Sequence, residues 1–148
     1  MNYLIRKMEL KDKVEVISMM EVFYTSPAVL SNGSKEIFEN DFNNAVNSSP
    51  YLEGFIFEEN NQIIGYSLIA KSFSTEYGLP CIWIEDLYLK EGFRNKGIGS
   101  FFFRYIEKEY PSSLLKLEVE RDNIKAINMY KKNNYEPLDY LEMIKINK

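Results

Sequence analysis

The residues best suited to chemistry lie in one short run, Gly92-Phe93-Arg94-Asn95-Lys96-Gly97-Ile98-Gly99-Ser100. A strand reads up to Leu89, a turn follows, and Gly97-Ile98-Gly99-Ser100 opens a helix. The first N–H groups of a helix have no intrahelical acceptors, and the helix dipole adds partial positive charge to them. A phosphate placed there is held by main chain alone, and glycines let the backbone come close to it. Arg94 and Lys96 add cationic charge, and Ser100 adds a hydroxyl. The outline from Gly92 to Gly97 is that of a P-loop, but Ile98-Gly99 stand where a Lys-Ser/Thr pair would hold phosphates and magnesium. The dinucleotide fingerprint fails as well, since its third glycine and the ribose-binding acid are missing. Two readings remain at this level: a cradle for some other phosphate ligand, and an ordinary strand-to-helix turn with capping glycines.

Composition narrows what else the chain can do. It has no histidine and one cysteine, Cys81, in 148 residues. A Ser-His or Cys-His nucleophile pair and a histidine base are excluded. One cysteine supports neither an intrachain disulfide nor a structural zinc site, so no metal is expected. Acid–base chemistry falls to Glu, Asp, Lys, Tyr or water, and Cys81 is read as structural. The net charge of −4 argues against nucleic acid as a partner. It suits an amine-bearing substrate and equally suits solubility alone. No leader-like apolar run follows the first charges and no stretch has membrane-spanning length, which predicts a cytoplasmic protein with no membrane partner.

The elements that must position the run form one domain over residues 1–148. Tyr3-Leu4-Ile5-Arg6 reads as a first strand. Asp12 can cap a helix to about Phe23, with Val14, Ile17, Met20 and Tyr24 on one face. Ser34 can cap a second helix, whose apolar side is Ile37, Phe38, Phe42 and Val46. Strands follow at Gly54 to Glu58, Ile63 to Phe73 and Cys81 to Leu89, the first two joined by the turn signal Asn60-Asn61. A helix from about Gly97 to Tyr110 precedes a strand carrying Leu115, Leu117 and Val119. A helix from Asn123 to about Lys132 comes next, and residues 140–146 alternate as a last strand. Phe101-Phe102-Phe103 point in different helical directions and serve the core. Hairpins mixed with a strand–helix–strand unit make the fold class α+β with a mixed sheet.

Arg94-Asn95-Lys96-Gly97-Ile98-Gly99 resembles the Gln/Arg-x-x-Gly-x-Gly/Ala signature of the GNAT superfamily of N-acetyltransferases. Ile82 to Leu89 is similar to that family's fourth strand, and Asn123-Ile124-Lys125-Ala126-Ile127-Asn128-Met129-Tyr130 to its Asn-x-x-Ala-x-x-x-Tyr helix. The order of elements matches along nearly the whole chain. Asn134-Tyr135 replaces the family's frequent Gly-Phe, which Asn tolerates at a helix end. The resemblance implies a mostly antiparallel sheet flanked by helices, with strands splayed around an acetyl-CoA site.

It also implies roles. The main chain of Arg94, Asn95, Lys96, Gly97, Ile98, Gly99 and Ser100 would hold the CoA pyrophosphate. The backbone of Leu87, Tyr88 and Leu89 would run beside the pantetheine arm, Leu87 and Leu89 pairing with it, and Asn123 would contact that arm. Tyr130, seven residues after Asn123 and on its helix face, would protonate the departing thiolate; in a chain with 11 tyrosines the alternative is a packing residue. Glu85 would act as base, directly or through water. Alternation along a strand sends Glu85 and Asp86 to opposite faces, and the family favours Glu85. Glu21, Phe23, Tyr24 and Tyr77 could line an acceptor pocket for a cation, with Glu85 at its edge. The expected activity is direct acetyl transfer from acetyl-CoA to a primary amine, the acceptor being a small molecule or peptide. The alternative is a non-catalytic acyl-CoA-binding sensor. Homodimers are common in the family.

Overall fold

The computed structural model describes residues 3–148. Its strands are β1 (Tyr3–Lys7), β2 (Leu52–Glu59), β3 (Gln62–Ser74), β4 (Leu79–Leu89) and β5 (Leu114–Leu117). Its helices are α1 (Lys13–Phe23), α2 (Lys35–Val46), α3 (Ile98–Glu109) and α4 (Ile124–Lys132). The strands form one sheet in the order β1-β2-β3-β4-β5, antiparallel except for the parallel β4–β5 pair. This is the α+β, mixed and mostly antiparallel architecture expected. No helix is long and apolar enough to cross a membrane among the described residues.

The sheet is covered on both faces. On one, Val16, Met20, Phe38 and Phe42 of α1 and α2 pack on Ile56, Tyr66, Leu68 and Tyr88. On the other, Phe102, Phe103 and Ile106 of α3 pack on Phe55, Phe57, Ile69 and Ile84, with Met129 and Tyr130 of α4 half-buried against them. Phe102 and Phe103 are fully buried while Phe101 is partly exposed, as a helical run of three aromatics requires.

Local signals explain most boundaries. Ser34 accepts a hydrogen bond from the Ile37 N–H at 3.2 Å and caps α2. Asn60 and Asn61 both take positive φ, 52° and 64°, the conformation of a tight hairpin turn. Asp12 precedes α1 but does not cap it with its side chain. Its buried carboxylate instead accepts two 2.8 Å bonds from Arg6 and one from the Glu9 N–H. That demand outweighs capping, because a buried carboxylate without partners is costly.

Four expectations are corrected. Val14 is 84% exposed, because α1 turns Val16, Ile17, Met19, Met20 and Phe23 inward instead. Ile37 is likewise exposed, and Phe38 and Phe42 carry the buried face of α2. Residues 140–146 form no strand, and β5 ends at Leu117, before Val119. An alternating pattern creates a strand only where a neighbouring edge pairs with it, and residues 136–148 have none in this chain.

Candidate active site

The glycine run connects β4 to α3. After Leu89 the chain makes a short 3-10 turn at Glu91–Phe93 and enters α3 through Asn95 (φ 62°) and Gly97 (φ 82°), the residue that caps the helix. A Cβ on Gly97 would meet nothing within 4 Å, so glycine is required there by backbone conformation rather than crowding. Gly99 faces α4, where a Cβ would touch Met129 at 3.5 Å. Among the described residues, no protein group accepts from the N–H groups of residues 95–100, while the Phe101 N–H begins the helical ladder to Gly97 O at 3.0 Å. These unpartnered N–H groups lie where the sequence pattern places a cradle for an anion. Ile98 is buried and anchors the helix start.

The cationic side chains beside the loop are partly occupied. Arg94 donates from Nε to Leu89 O at 2.8 Å and lies 5.6 Å over the Tyr88 ring, which fastens the loop to the end of β4. Lys96 lies over Phe93 and is exposed. The Ser100 hydroxyl accepts from Asn133 Nδ2 at 3.0 Å, a tie between the loop and the end of α4.

β4 and β5 part beside this cradle. Their pairing runs from Cys81 opposite Leu114 to Ile84 opposite Leu117 and stops. From Glu85 to Leu89, β4 keeps β3 on one side, with Leu87 opposite Ser67 and Leu89 opposite Gly65, and has no strand on the other. Gly65 has a close-approach role here, since a Cβ would sit 2.3 Å from Tyr88 O. The exposed backbone of Leu87, Tyr88 and Leu89 is a sheet edge able to accept an extended ligand. The Tyr88 side chain packs in the α1–α2 core, leaving only its main chain on the gap.

The split coincides with a β-bulge. Leu68 faces Asp86 and Ile69 faces Ile84, so Glu85 has no partner across β3. The extra residue shifts the alternation: Ile82 and Ile84 point to the α3 face, whereas Tyr88 points to the α1–α2 face. The simple alternation read from sequence does not hold at this point. Glu85 is exposed, and its carboxyl is raised by partial desolvation and by nearby Glu142 and Asp41.

Asp86 is the residue that sequence reasoning underrated. It is 2% exposed and accepts 2.8 Å bonds from both Tyr24 Oη and Tyr66 Oη. Ser67 Oγ donates to its main-chain oxygen at 2.7 Å. Burial pushes its carboxyl up to about 6, a rise the two phenols partly offset. Both phenols are in turn raised, first by burial and then by the Asp86 charge. The only sequence signal for this triad is an acid within an apolar strand; a bulge and two tyrosines distant in sequence complete it.

The other expected residues are spread. Asn123 caps α4, its Oδ1 accepting from the Ala126 N–H at 3.3 Å. Tyr130 is half-buried, with its ring 5.9 Å from Phe103 and 6.2 Å from Tyr135. Burial raises its phenol, and no protein group among the described residues takes its hydroxyl proton. Of the acceptor-pocket group, Tyr24 reaches Asp86, Phe23 is buried in the core and Glu21 is exposed. Tyr77 lies at the tip of the β3–β4 hairpin, on the order of 20 Å along β4 from Asp86 at strand rise.

A sheet split at a bulge thus stands beside a glycine-capped helix whose first N–H groups have no protein acceptor among the described residues. The sequence matches the family model "Acetyltransferase (GNAT) family" over residues 15–135, and the chain belongs to that family. Among curated proteins, none matches by sequence. Solved structures share the fold at low identity. A possible acetyltransferase from Clostridium difficile 630 has a TM-score of 0.82 at 17% identity, covering 99% of this chain and 97% of that one. AAC(6')-Iy in complex with the bisubstrate analog CoA-S-monomethyl-acetylneamine gives 0.78 at 11%, covering 100% of both chains. The ribosomal-protein-alanine N-acetyltransferase from Brucella melitensis biovar Abortus 2308 gives 0.74 at 14%, covering 99% of this chain and all of that one.

Proposed function

We propose that this chain transfers an acetyl group directly from acetyl-CoA to a primary amine. The observation that carries the reading is the gap at Glu85–Leu89, where β4 offers a free edge next to the unpartnered N–H groups of residues 95–100. These N–H groups hold the pyrophosphate, and Leu87 and Leu89 pair through their main chain with the pantetheine arm. Asn123 stands at the near end of α4 to contact that arm, although its side chain also caps the helix. The bound thioester supplies the acetyl carbonyl that the amine attacks.

The residues at the gap then manage two protons. The acceptor must reach the carbonyl as free amine, and the C–S bond breaks as the new C–N bond forms. Tyr130 gives its phenolic proton to the leaving thiolate; the reference values, about 10 for a phenol and about 8.5 for a thiol, are close enough for transfer. Glu85 takes the amine proton directly or through water, and its raised carboxyl favours that role. The acidic groups around Tyr24, namely Asp41, Glu85 and Asp86, suit an acceptor that arrives as a cation.

The test is release of free thiol from acetyl-CoA in the presence of a panel of amines, followed over pH. Amine-dependent release is expected, with Glu85→Gln losing most activity near neutral pH and recovering at high pH. Cofactor binding by calorimetry with no thiol release from any amine would replace this reading with that of a non-catalytic acyl-CoA sensor.

A further inference from the structure

β4 is held unevenly along its length. Up to Ile84 it has β3 on one side and β5 on the other, and from Glu85 onward it has β3 alone. The bulge lies at this change. Ile84 faces α3, whereas Leu68 belongs to the α1–α2 core. Regular alternation past Ile84 would therefore set Glu85 opposite Leu68, inside that core, and turn Asp86 to the α3 face. Glu85 would leave the gap. Its exposed position exists only while the extra residue stays at Glu85.

Asp86 holds it there. Its Oδ1 accepts from Tyr24 Oη, at the C-terminal cap of α1, and its Oδ2 from Tyr66 Oη on β3, both at 2.8 Å. Its main-chain oxygen accepts from Ser67 Oγ at 2.7 Å. Both tyrosines lie on the α1–α2 face, so the competing register would break both carboxylate bonds. Asp86, Tyr66 and Ser67 are buried. Water does not reach them to replace a lost partner, and each orphaned group would carry its desolvation cost. Among the described residues, no lysine or arginine pairs with Asp86. With both carboxylate oxygens engaged and out of solvent, Asp86 is not placed to touch cofactor or acceptor.

We propose that Asp86 is a positioning residue for acetyl transfer. Clasped by Tyr24 and Tyr66, it fixes the bulge, and the bulge aims the Glu85 carboxyl at the gap. The clasp joins the end of α1, the middle of β3 and the split strand at one point, so Glu85 is set by residues distant in sequence. The inference rests on the acetyl-transfer reading and adds to it the residue through which Glu85 is held.

A double-substitution cycle on turnover tests it, assayed well below the melting temperature, where a merely structural bond would leave turnover unmoved. Asp86→Asn keeps the size of the side chain but leaves one oxygen to accept. It should fold with an unchanged circular dichroism spectrum. Turnover should fall about tenfold, with the KM of the amine within about twofold of wild type. Combined with Glu85→Gln it should cost almost nothing further, because a carboxylate already removed cannot be misaimed. Losses that multiply overturn the proposal, and so does a folded Asp86→Asn with wild-type turnover. If Asp86→Asn does not fold, Tyr66→Phe decides, since it removes one bond of the clasp and keeps the ring. Reduced turnover that adds nothing to the Glu85→Gln loss supports the proposal, and wild-type turnover overturns it. A wild type that releases no thiol with any amine removes the acetyl-transfer reading and this proposal together, whereas the earlier outcomes remove the proposal alone.

Discussion

The two ends of the candidate site rest on unequal foundations. The proposed anion cradle grows from α3, whose Phe102, Phe103 and Ile106 are fully buried. The proposed proton donor stands on α4, and no residue after Ile106 counts as buried. α4 is nine residues long, too short to hold together on its own in water. It is kept in place by its Asn123 cap, by Met129 and Tyr130 against the α3 side of the core, and by the Asn133–Ser100 bond. The proposed cradle therefore rests on a buried helix, whereas the proposed acid rests on a helix with fewer buried contacts, the kind that opens locally at lower cost.

Core truncation should expose this contrast most strongly. Phe102→Ala should lower the unfolding free energy by about 3–5 kcal/mol, whereas Ile124→Ala, at an exposed position on α4, should change it by no more than about 0.5 kcal/mol. Chemical denaturation of both variants checks this, and equal costs would erase the difference between the regions.

Asp86 gives the next effect. Its carboxyl is higher in the folded chain, about 6, than the ordinary 3.8, so the folded state favours its protonated form. The associated stability is present below the ordinary value and is lost as pH rises through about 6. Relative to Asp86→Asn, the wild type should lose stability between pH 4 and 7, by about 3 kcal/mol at most, since one pKa unit is about 1.4 kcal/mol. Paired melts of the two proteins across that window isolate the effect from Asp12, whose carboxyl is lowered in the folded chain and whose stabilising contribution is lost at lower pH. A pH-independent difference would mean that Asp86 does not titrate there.

Tyr130→Phe keeps the ring against Phe103 and removes only the hydroxyl. Turnover should fall about 10²-fold, with CoA affinity and melting temperature nearly unchanged. Unaltered turnover at saturating substrate would leave Tyr130 a packing residue and move the acid elsewhere. The smallest effect concerns the cradle. Gly97→Ala must hold a left-handed backbone with a Cβ, and CoA affinity should drop about tenfold, or about 1.4 kcal/mol. Calorimetry on the folded variant measures it; an unchanged affinity would remove the loop from the cofactor site.

Much of this is legible in the sequence. Helix starts at Ser34 and Asn123, the turn at Asn60-Asn61 and the helix opening at Gly97 depend on neighbours close in sequence, and the residue types announce them. The free N–H groups at the start of α3 are legible in the same way, because they need no distant partner. The bury-or-expose choice within α1 was less legible. Val14 and Val16 are chemically alike, and only the position of the sheet selects Val16.

What the tertiary structure alone decided is the division of labour between Glu85 and Asp86 and the state of the last residues. A bulge opposite Leu68 and Ile69 shifts the register of β4. It leaves Glu85 exposed and delivers Asp86 to tyrosines 62 and 20 residues away in sequence. The alternation of residues 140–146 is visible in the chain, but a strand exists only through hydrogen bonds to another edge. Local propensity can propose such a segment; the availability of a partner lies in the assembled sheet.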